Sequence, residues 1–425
     1  MNAARQFRSG FVKRFVAMAT VALLIPACDH AITAPPIRVG VLHSKTGTMA
    51  ISESAVLDAT LLAIGQINAS GGLLGRRLEP VVADGESDPE HFASEAERLI
   101  TKEHVSVVFG CWTSASRKAV KPVFEKHNHL LFYPVQYEGL EQSPNIIYTG
   151  ATPNQQVIPA VSYALEHFGK RVFLVGSDYV FPRTANAIIR DQIRALGGEV
   201  VDEMYLPLGG KHVDSIVHRI VEKRPDVILN TINGDSNIAF FEALRKAGIK
   251  SSDIPTVSFS IGENELRQID PALTAGDYAA WNYFQSVDTA ENRDFIAAFR
   301  KRYGADRVTS DPIEAAWFGV HLWAQAAQLA GSADPVAVRK VIGDEGMIAP
   351  EGLIYVDAAT QHTWKYARVG RVRPDGQFDI VWSSSKPVRP IPFPAFRTRF
   401  AWESMLDDLH KSWGGRWVNP GAGTP

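Results

Sequence analysis

Two short segments of the chain carry aromatic rings beside small hydroxyl and amide groups. The first follows the apolar residues 105–109, and the second follows the apolar residues 130–132. Both apolar runs are predicted to be buried parallel strands, and ligands of open α/β sheets collect beyond the carboxyl ends of such strands. The candidate ligand-binding residues in these two segments are Trp112, Thr113, Ser114, Tyr133, Val135 and Gln136. Flat rings with a few polar groups suit a small, uncharged molecule that forms hydrogen bonds.

Further candidates follow predicted strands later in the chain. The apolar runs 171–176, 226–231 and 256–259 are predicted to form a second set of parallel strands. The candidates that follow them are Tyr179, Phe181, Asn233, Asp235, Ser260 and Glu263. The Asp235 carboxylate is suited to accept N–H groups of an amide, because a charged acceptor roughly doubles the strength of a hydrogen bond.

Each of these residues also has a purely structural explanation. Trp112 or Tyr133 alone is typical of a core, and Ser114 alone is most simply the N-cap of the helix that follows. Asp235 is equally well explained as an Asx-turn or N-cap residue. Their shared position directly after parallel strands favours a binding site, because those strand ends are expected to face one cleft.

The chain lacks the motifs of common catalytic and metal sites. It contains no GxxxxGK[ST] phosphate loop and no HExxH, CxxC or GxSxG pattern. Cys111 has no His or Asp nearby in the sequence and is predicted to be a packed, inert thiol. His127 and His129 are predicted to lie in an exposed turn and not to bind a metal. We therefore predict a binding protein rather than an enzyme, with no cofactor and no metal.

The charge balance argues against a nucleic-acid partner. The sequence has 46 acidic and 44 basic residues, for a net charge of −2. No basic patch is interleaved with aromatic residues, as nucleic-acid binding requires.

The first 28 residues have the composition of an export signal. Basic residues between positions 5 and 14 precede the apolar stretch 15–25, and Ala27-Cys28 resembles a lipobox in which Cys28 becomes lipidated. The alternative is an ordinary secretory signal with a chance cysteine. We expect a periplasmic protein held at the inner membrane by two acyl chains on Cys28. No later segment is predicted to span a membrane, since none reaches about 20 apolar residues.

The remaining chain alternates strands and helices, which is typical of parallel sheets covered on both faces. The strand Ile37–His43 is followed by a helix over 53–69 that ends at Gly71-Gly72, and the pattern restarts near Arg171. About 400 residues exceed one core, so two domains are expected.

Several longer segments resemble the periplasmic binding proteins of urea and short-chain amide transporters, within the branched-chain amino acid type. They are GCWTSASRKAV, FYPVQYEG, SPNIIYTGATPNQQ, GSDYVFPRTAN, NGDSN and AAWNYFQSVDT. The resemblance implies a type I periplasmic-binding-protein (flytrap) α/β fold, with two lobes that are each a parallel sheet flanked by helices. Three hinge crossings are expected near Thr152, Phe284 and Tyr355. The expected divisions are 1–28 for the signal, 36–152 plus 284–355 for lobe 1, 153–283 plus 356–386 for lobe 2, and 387–425 for a tail on the surface.

The same resemblance implies a receptor that captures urea between its lobes and delivers it to an ABC permease with a separate ATPase. Trp112 favours urea, because the amide-sensing branch has Tyr at this position. A receptor for acetamide or formamide and an amide-sensing regulator stay open as alternatives. A branched-chain amino acid is disfavoured, because the loops offer Asp235 or Glu263 without an obvious cation for the carboxylate.

Overall fold

The computed structural model describes residues 34–343 and 345–421 of the chain. The predicted export signal and Cys28 therefore lie outside the described residues. Among the residues described, one helix, Ala50–Ala69, is long and apolar enough to cross a membrane by length and composition, although none was expected. Its residues Val56, Ala59 and Ala63 are buried in the protein core, as is typical of a core helix.

The first sheet is built from the N-terminal part of the chain. Its parallel strands have the spatial order β2-β1-β3-β4-β5. The strands are β1 (Ile37–His43), β2 (Leu78–Asp84), β3 (Val108–Gly110), β4 (Leu131–Tyr133) and β5 (Ile146–Tyr148), and the helices between them are α1 (Ala50–Ala69), α2 (Pro89–Thr101) and α3 (Ser114–Lys126). The residues of β1, β3, β4 and β5 are almost all buried, so both faces of the sheet are covered there, whereas the edge strand β2 is partly exposed.

The second sheet repeats the pattern after a first crossing of the chain. Its parallel strands are β6 (Arg171–Ser177), β7 (Glu199–Leu206), β8 (Val227–Thr231), β9 (Thr256–Ser258) and β10 (Tyr278–Trp281). Its helices are α4 (Val157–His167), α5 (Val180–Ala195), α6 (Asp214–Lys223), α7 (Ser236–Lys246), α8 (Glu263–Leu266) and α9 (Pro271–Thr274). On β6, Phe173 and Val175 pack in one apolar cluster, while Val172 and Leu174 pack in the cluster on the opposite face.

The chain then returns to the first sheet. The returning elements are α10 (Ala290–Tyr303), α11 (Asp311–Ala330), α12 (Pro335–Val341), β11 (Gly346–Ala349), β12 (Gly352–Val356) and β13 (Thr363–Trp364). Residues of α11, α12 and β12 bury one face of the first sheet together with Val39 and Val41 of β1. Helices α2 and α3 cover the opposite face, where they pack with Leu42 and Val108.

The third crossing lies later than the sequence predicted. Tyr355 does not mark a hinge, because it lies inside β12 and pairs with Gly346 on one side and Trp364 on the other. The chain passes to the second sheet only after Trp364, where β14 (Arg368–Val372) and β15 (Phe378–Ser383) add antiparallel strands beside β10. A strand of two residues such as β13 has no periodicity that a sequence could display.

A buried ionic group joins the three crossings. Asp311 accepts the backbone N–H groups of Asn282 and Tyr283 in the second crossing, both at 2.9 Å. The Lys365 ammonium in the third crossing donates to the Thr149 carbonyl near the first crossing at 3.1 Å, and it lies 3.8 Å from Asp311. These contacts fix the three connecting segments relative to one another.

The C-terminal tail packs against both halves of the molecule. Its helix α13 (Arg399–Ser412) buries Trp402 and Leu406 in a cluster with residues of α5. Beyond the helix, the Trp417 carbonyl accepts the Val180 N–H at 3.0 Å, while the Lys118 ammonium of α3 lies 4.8 Å from the centre of the Trp417 ring. The tail therefore contacts both sides of the cleft between the sheets.

Candidate ligand-binding cleft

The strand ends of the two sheets face each other, and the predicted aromatic residues meet there. The Tyr133 hydroxyl, at the end of β4, donates to the Trp112 carbonyl at 2.6 Å. The Trp112 indole N–H donates across the cleft to the Asn233 side-chain oxygen at 3.4 Å. Three of the predicted site residues thus form one connected group between the lobes.

Gln136 makes a second direct connection across the cleft. Its Nε2 donates to the Phe259 carbonyl at 2.8 Å and to the Ser260 hydroxyl at 3.2 Å, so Ser260 also lies at the cleft as predicted. Its Oε1 is buried and has no hydrogen-bond partner among the described residues. An unpaired buried acceptor costs about 1–3 kcal/mol, which an N–H group of a ligand would recover. Val135, the residue before it, is buried in the apolar core of the first lobe.

The start of α3 places hydroxyl and amide groups directly after Trp112, at the strand ends of the first lobe. Thr113, and not Ser114, is the N-cap: its hydroxyl accepts the Ser116 N–H at 3.0 Å. Ser114 is the first helical residue, so its N–H and that of Ala115 have no acceptor within the helix. These two amides are donors that a carbonyl oxygen can use.

A buried charge cluster that the sequence reasoning missed lies behind Ser114. Ser114 donates its hydroxyl proton to Glu138 and accepts an Arg117 N–H at 3.0 Å. Arg117 also pairs with Glu138 at 3.1 Å and with Glu141 at 2.9 Å, and Lys118 pairs with Glu141 at 3.0 Å. Both carboxylates and both cations are buried, so their charges are balanced within the cluster.

The cluster holds its members in fixed protonation states. Burial alone would raise the pKa of the Glu141 carboxyl, but the cations Arg117 and Lys118 hold that pKa well below its usual range. Burial raises the pKa of the Tyr133 hydroxyl, so Tyr133 stays neutral. In the sequence, this cluster is indicated only by four charged residues, which lie in segments predicted to be a helix and a loop. They are Arg117, Lys118, Glu138 and Glu141.

The second lobe contributes two buried aromatic residues after β6. Tyr179 and Phe181 are almost fully buried, and their ring centres lie 6.3 Å apart. Tyr179 packs in one apolar cluster with Ala115 and Leu140 of the first lobe, which places it beside the start of α3. Burial raises the pKa of the Tyr179 hydroxyl, which therefore remains a neutral group.

Asp235 lies at the rim of the cleft and not at its centre. Asp235 occupies the N-cap position of α7, as one of its two structural explanations predicts, but its side chain makes no capping bond. The carboxylate instead accepts the Thr48 hydroxyl from the first lobe and lies 3.7 Å from the exposed Lys211 ammonium. Glu263, by contrast, is fully buried, and burial raises its pKa to about 8.

Cys111 and His129, which the sequence singled out, are both buried. Cys111 is a free, buried thiol, and burial raises its pKa. The sequence predicts an exposed His129, but the residue is buried. Its Nε2 forms a hydrogen bond with the Val105 carbonyl at 2.8 Å. Within residues 34–343 and 345–421, no group of three or more His, Cys, Asp or Glu side chains is arranged to hold a metal ion.

Most of the chain is similar to solute-binding proteins. The sequence profile of the periplasmic binding protein domain family matches residues 37–399. The Leu/Ile/Val-binding protein homolog 6 of Brucella melitensis is 26% identical over 285 residues, covering 65% of this chain and 72% of the relative.

Solved structures share the fold at lower sequence identity. A solute-binding protein of an ABC transporter from R. palustris, in complex with 4-hydroxybenzoate, has a TM-score of 0.75 and 24% identity, covering 84% of this chain and 98% of its own. The isoleucine complex of the branched-chain amino acid transporter substrate-binding protein from Streptococcus pneumoniae has a TM-score of 0.73 and 22% identity, covering 84% and 100%. The predicted type I fold and the prediction of a non-enzymatic protein are both confirmed. The chain belongs to the periplasmic binding protein family and is a solute-binding receptor of an ABC transporter.

Proposed function

We propose that this receptor captures urea and delivers it to its permease. The observation that supports this ligand is the short distance between the lobes at the strand ends. Gln136 and Trp112 bond directly to residues of the opposite lobe, at 2.8 Å and 3.4 Å, so the lobes are in contact here and only a small molecule fits between them without parting these bonds. An aromatic acid or isoleucine, as bound by the two solved relatives, is a larger molecule that would force these contacts apart.

The polar groups around this space match the chemistry of a urea or short-chain amide. Urea offers N–H groups on two nitrogens and a single carbonyl oxygen. The Gln136 Oε1 and the Ser114 hydroxyl oxygen are acceptors for the N–H groups, and the first amides of α3 are donors for the carbonyl. The rings of Trp112, Tyr133, Tyr179 and Phe181 supply flat walls.

In this proposal the lobes close around the ligand by rotation at the crossings. We assign residues 36–152 and 284–364 to lobe 1 and residues 153–283 and 365–386 to lobe 2, with the boundary at 364 taken from the pairing of β13. The closed state is stabilised by contacts such as the bond from the Asn264 side chain to the Ile51 carbonyl at 2.8 Å.

Calorimetric titration with urea, acetamide, formamide, isoleucine and 4-hydroxybenzoate tests the ligand. We expect the tightest binding for urea, weaker binding for the two amides, and none for the two acids. Strong binding of an amide with weak urea binding would instead support the short-chain amide receptor. Binding of isoleucine or 4-hydroxybenzoate alone would overturn the proposal.

The choice between urea and amides is assigned to Trp112. We expect Trp112→Tyr to raise the affinity for acetamide relative to urea. Trp382→Tyr, on the outer strand β15, is the matched control and should leave both affinities unchanged. An unchanged affinity ratio in Trp112→Tyr would refute this assignment.

We further propose that Cys28 carries the lipid anchor of the periplasmic receptor. The Ala27-Cys28 pair after the apolar stretch supports it. Replacing Cys28 by Ala should move the exported protein from the membrane fraction to the soluble periplasmic fraction. Retention of that variant in the membrane fraction would contradict the anchor.

A further inference from the structure

We infer that Glu138 is a specificity-determining residue, which makes the Ser114 hydroxyl an acceptor and thereby selects amides against carboxylates. This inference rests on the proposed function, since it concerns the same cleft. Glu138 does not itself line the aromatic walls. It acts through Ser114, and it is therefore a positioning residue.

The direction of the Ser114 hydroxyl proton follows from its two partners. A carboxylate is an acceptor only, so the hydrogen bond between Ser114 Oγ and Glu138 Oε2 must use the Ser114 proton. A guanidinium is a donor only, so the bond of 3.0 Å from Arg117 occupies one lone pair of the same oxygen. The Ser114 hydroxyl is left with one free lone pair and no proton that it can donate to a ligand.

A ligand that reaches Ser114 therefore meets an acceptor. An N–H group of urea or acetamide can donate to it, whereas a carboxylate oxygen has no proton to offer. The buried Gln136 Oε1, which lacks a partner among the described residues, presents a second acceptor in the same cleft. A site built from such acceptors rejects a ligand without matching donors, because its buried polar groups would stay unpaired.

The surrounding charges keep this arrangement in place. Glu138 is fully buried and is held by Arg117 at 3.1 Å, with Lys118 at 3.9 Å. The neighbouring Glu141 pairs with the same two cations but has no contact with Ser114. Glu141 thus shares the burial and the charge of Glu138, but the hydroxyl that it accepts belongs to Tyr148 and not to Ser114.

The test uses acetamide and acetate, which share one heavy-atom shape and differ in the N–H group and the charge. We expect wild-type protein to bind acetamide and not acetate in calorimetric titration. In Glu138→Gln, the new amide nitrogen would donate to the Ser114 oxygen and release its proton toward the cleft. We expect this variant to lose affinity for acetamide and gain affinity for acetate, shifting the ratio by about tenfold or more.

Glu141→Gln is the matched control, because it removes an equal charge from the same cluster. We expect its acetamide-to-acetate ratio to stay near the wild-type value. An equal shift in both variants would show a general electrostatic effect and overturn the role of Glu138. Acetate binding by the wild type, or an unchanged ratio in Glu138→Gln, would also overturn it.

Ser114→Ala keeps the inference testable if Glu138→Gln does not fold. Without the hydroxyl, we expect weaker acetamide binding with no gain for acetate. Acetamide affinity equal to that of the wild type would overturn the inference.

These outcomes are distinct from a failure of the proposed function. That failure would appear as wild-type protein that binds neither urea, acetamide nor formamide. In that case the gain of acetate binding in Glu138→Gln still decides the inference, because its absence overturns it.

Discussion

Replacing Gln136 by Leu removes the hydrogen bonds of Gln136 across the cleft while keeping most of its volume. Its Nε2 bonds to Phe259 and Ser260, at 2.8 and 3.2 Å, would be lost, and each contributes about 1 kcal/mol. The Phe259 carbonyl keeps a second donor, the Gln156 side chain at 3.1 Å, so it is not left unpaired. Loss of the Oε1 acceptor for the ligand adds about 1 kcal/mol.

The expected total is about 2–3 kcal/mol, which corresponds to an increase in the dissociation constant of about 30- to 150-fold. Calorimetric titration with urea measures it directly, and a thermal melt checks that the variant is folded. Asn264→Leu is the control, because its bond to the Ile51 carbonyl also joins the lobes but lies outside the candidate site. We expect this control to weaken binding only about fivefold, through closure alone.

Two results would refute this reasoning. A urea affinity of Gln136→Leu within about twofold of the wild type would mean that the Gln136 bonds do not stabilise the closed, liganded state. An equal loss in Gln136→Leu and Asn264→Leu would mean that the Gln136 Oε1 contributes nothing to the ligand beyond closure.

Three further predictions concern buried groups. Cys111 should not react with thiol reagents in folded Cys28→Ser protein, because burial raises the pKa of its thiol. It should react once guanidinium unfolds the protein. Rapid labelling of the folded protein would contradict this prediction. Burial raises the pKa of Glu263 from 4.5 to about 8, so Glu263 in the folded state retains a proton that it releases in the unfolded state. The contribution of Glu263 to stability should therefore fall as pH rises through this window, by at most about 1.4 kcal/mol per pH unit. Glu263→Gln should flatten this slope in guanidinium melts, and an unchanged slope would contradict it. Trp402→Ala should cost about 3–5 kcal/mol in the same melts, since the ring is fully buried and its N–H bonds to the Pro394 carbonyl at 2.8 Å; a loss below about 1 kcal/mol would mean that the tail is not part of the folded core.

The strand ends were predictable because they depend on local patterns. Apolar runs such as Ile37–His43 are buried on both faces, as expected of parallel strands, and the polar residues that follow them meet at the cleft. Trp112, Tyr133, Gln136 and Asn233 lie together for this reason.

The partners of those residues were not predictable, because they come from distant parts of the chain. Thr48 and Asp235 bond across the cleft although 187 positions separate them, so nothing near Asp235 distinguishes this contact from an N-cap. The burial of Arg117 depends on Glu138 and Glu141, which lie in a loop after the next strand. The N-cap of α3 is Thr113, one residue before the predicted Ser114. Both residue types are suitable N-caps, so side-chain type alone does not locate the helix start to within one residue.

The late return of the chain to its first sheet has a consequence for biosynthesis. All five strands of that sheet are complete at Tyr148, yet α11, which helps to cover one face, begins only at Asp311. A growing polypeptide that ends before Asp311 has only part of the cover of this apolar face, from α1, and lacks the core residues that α11, α12 and β12 supply. The first lobe therefore completes its core only when most of the chain has been made, so the unfinished chain stays open longer, which suits a protein of the periplasm.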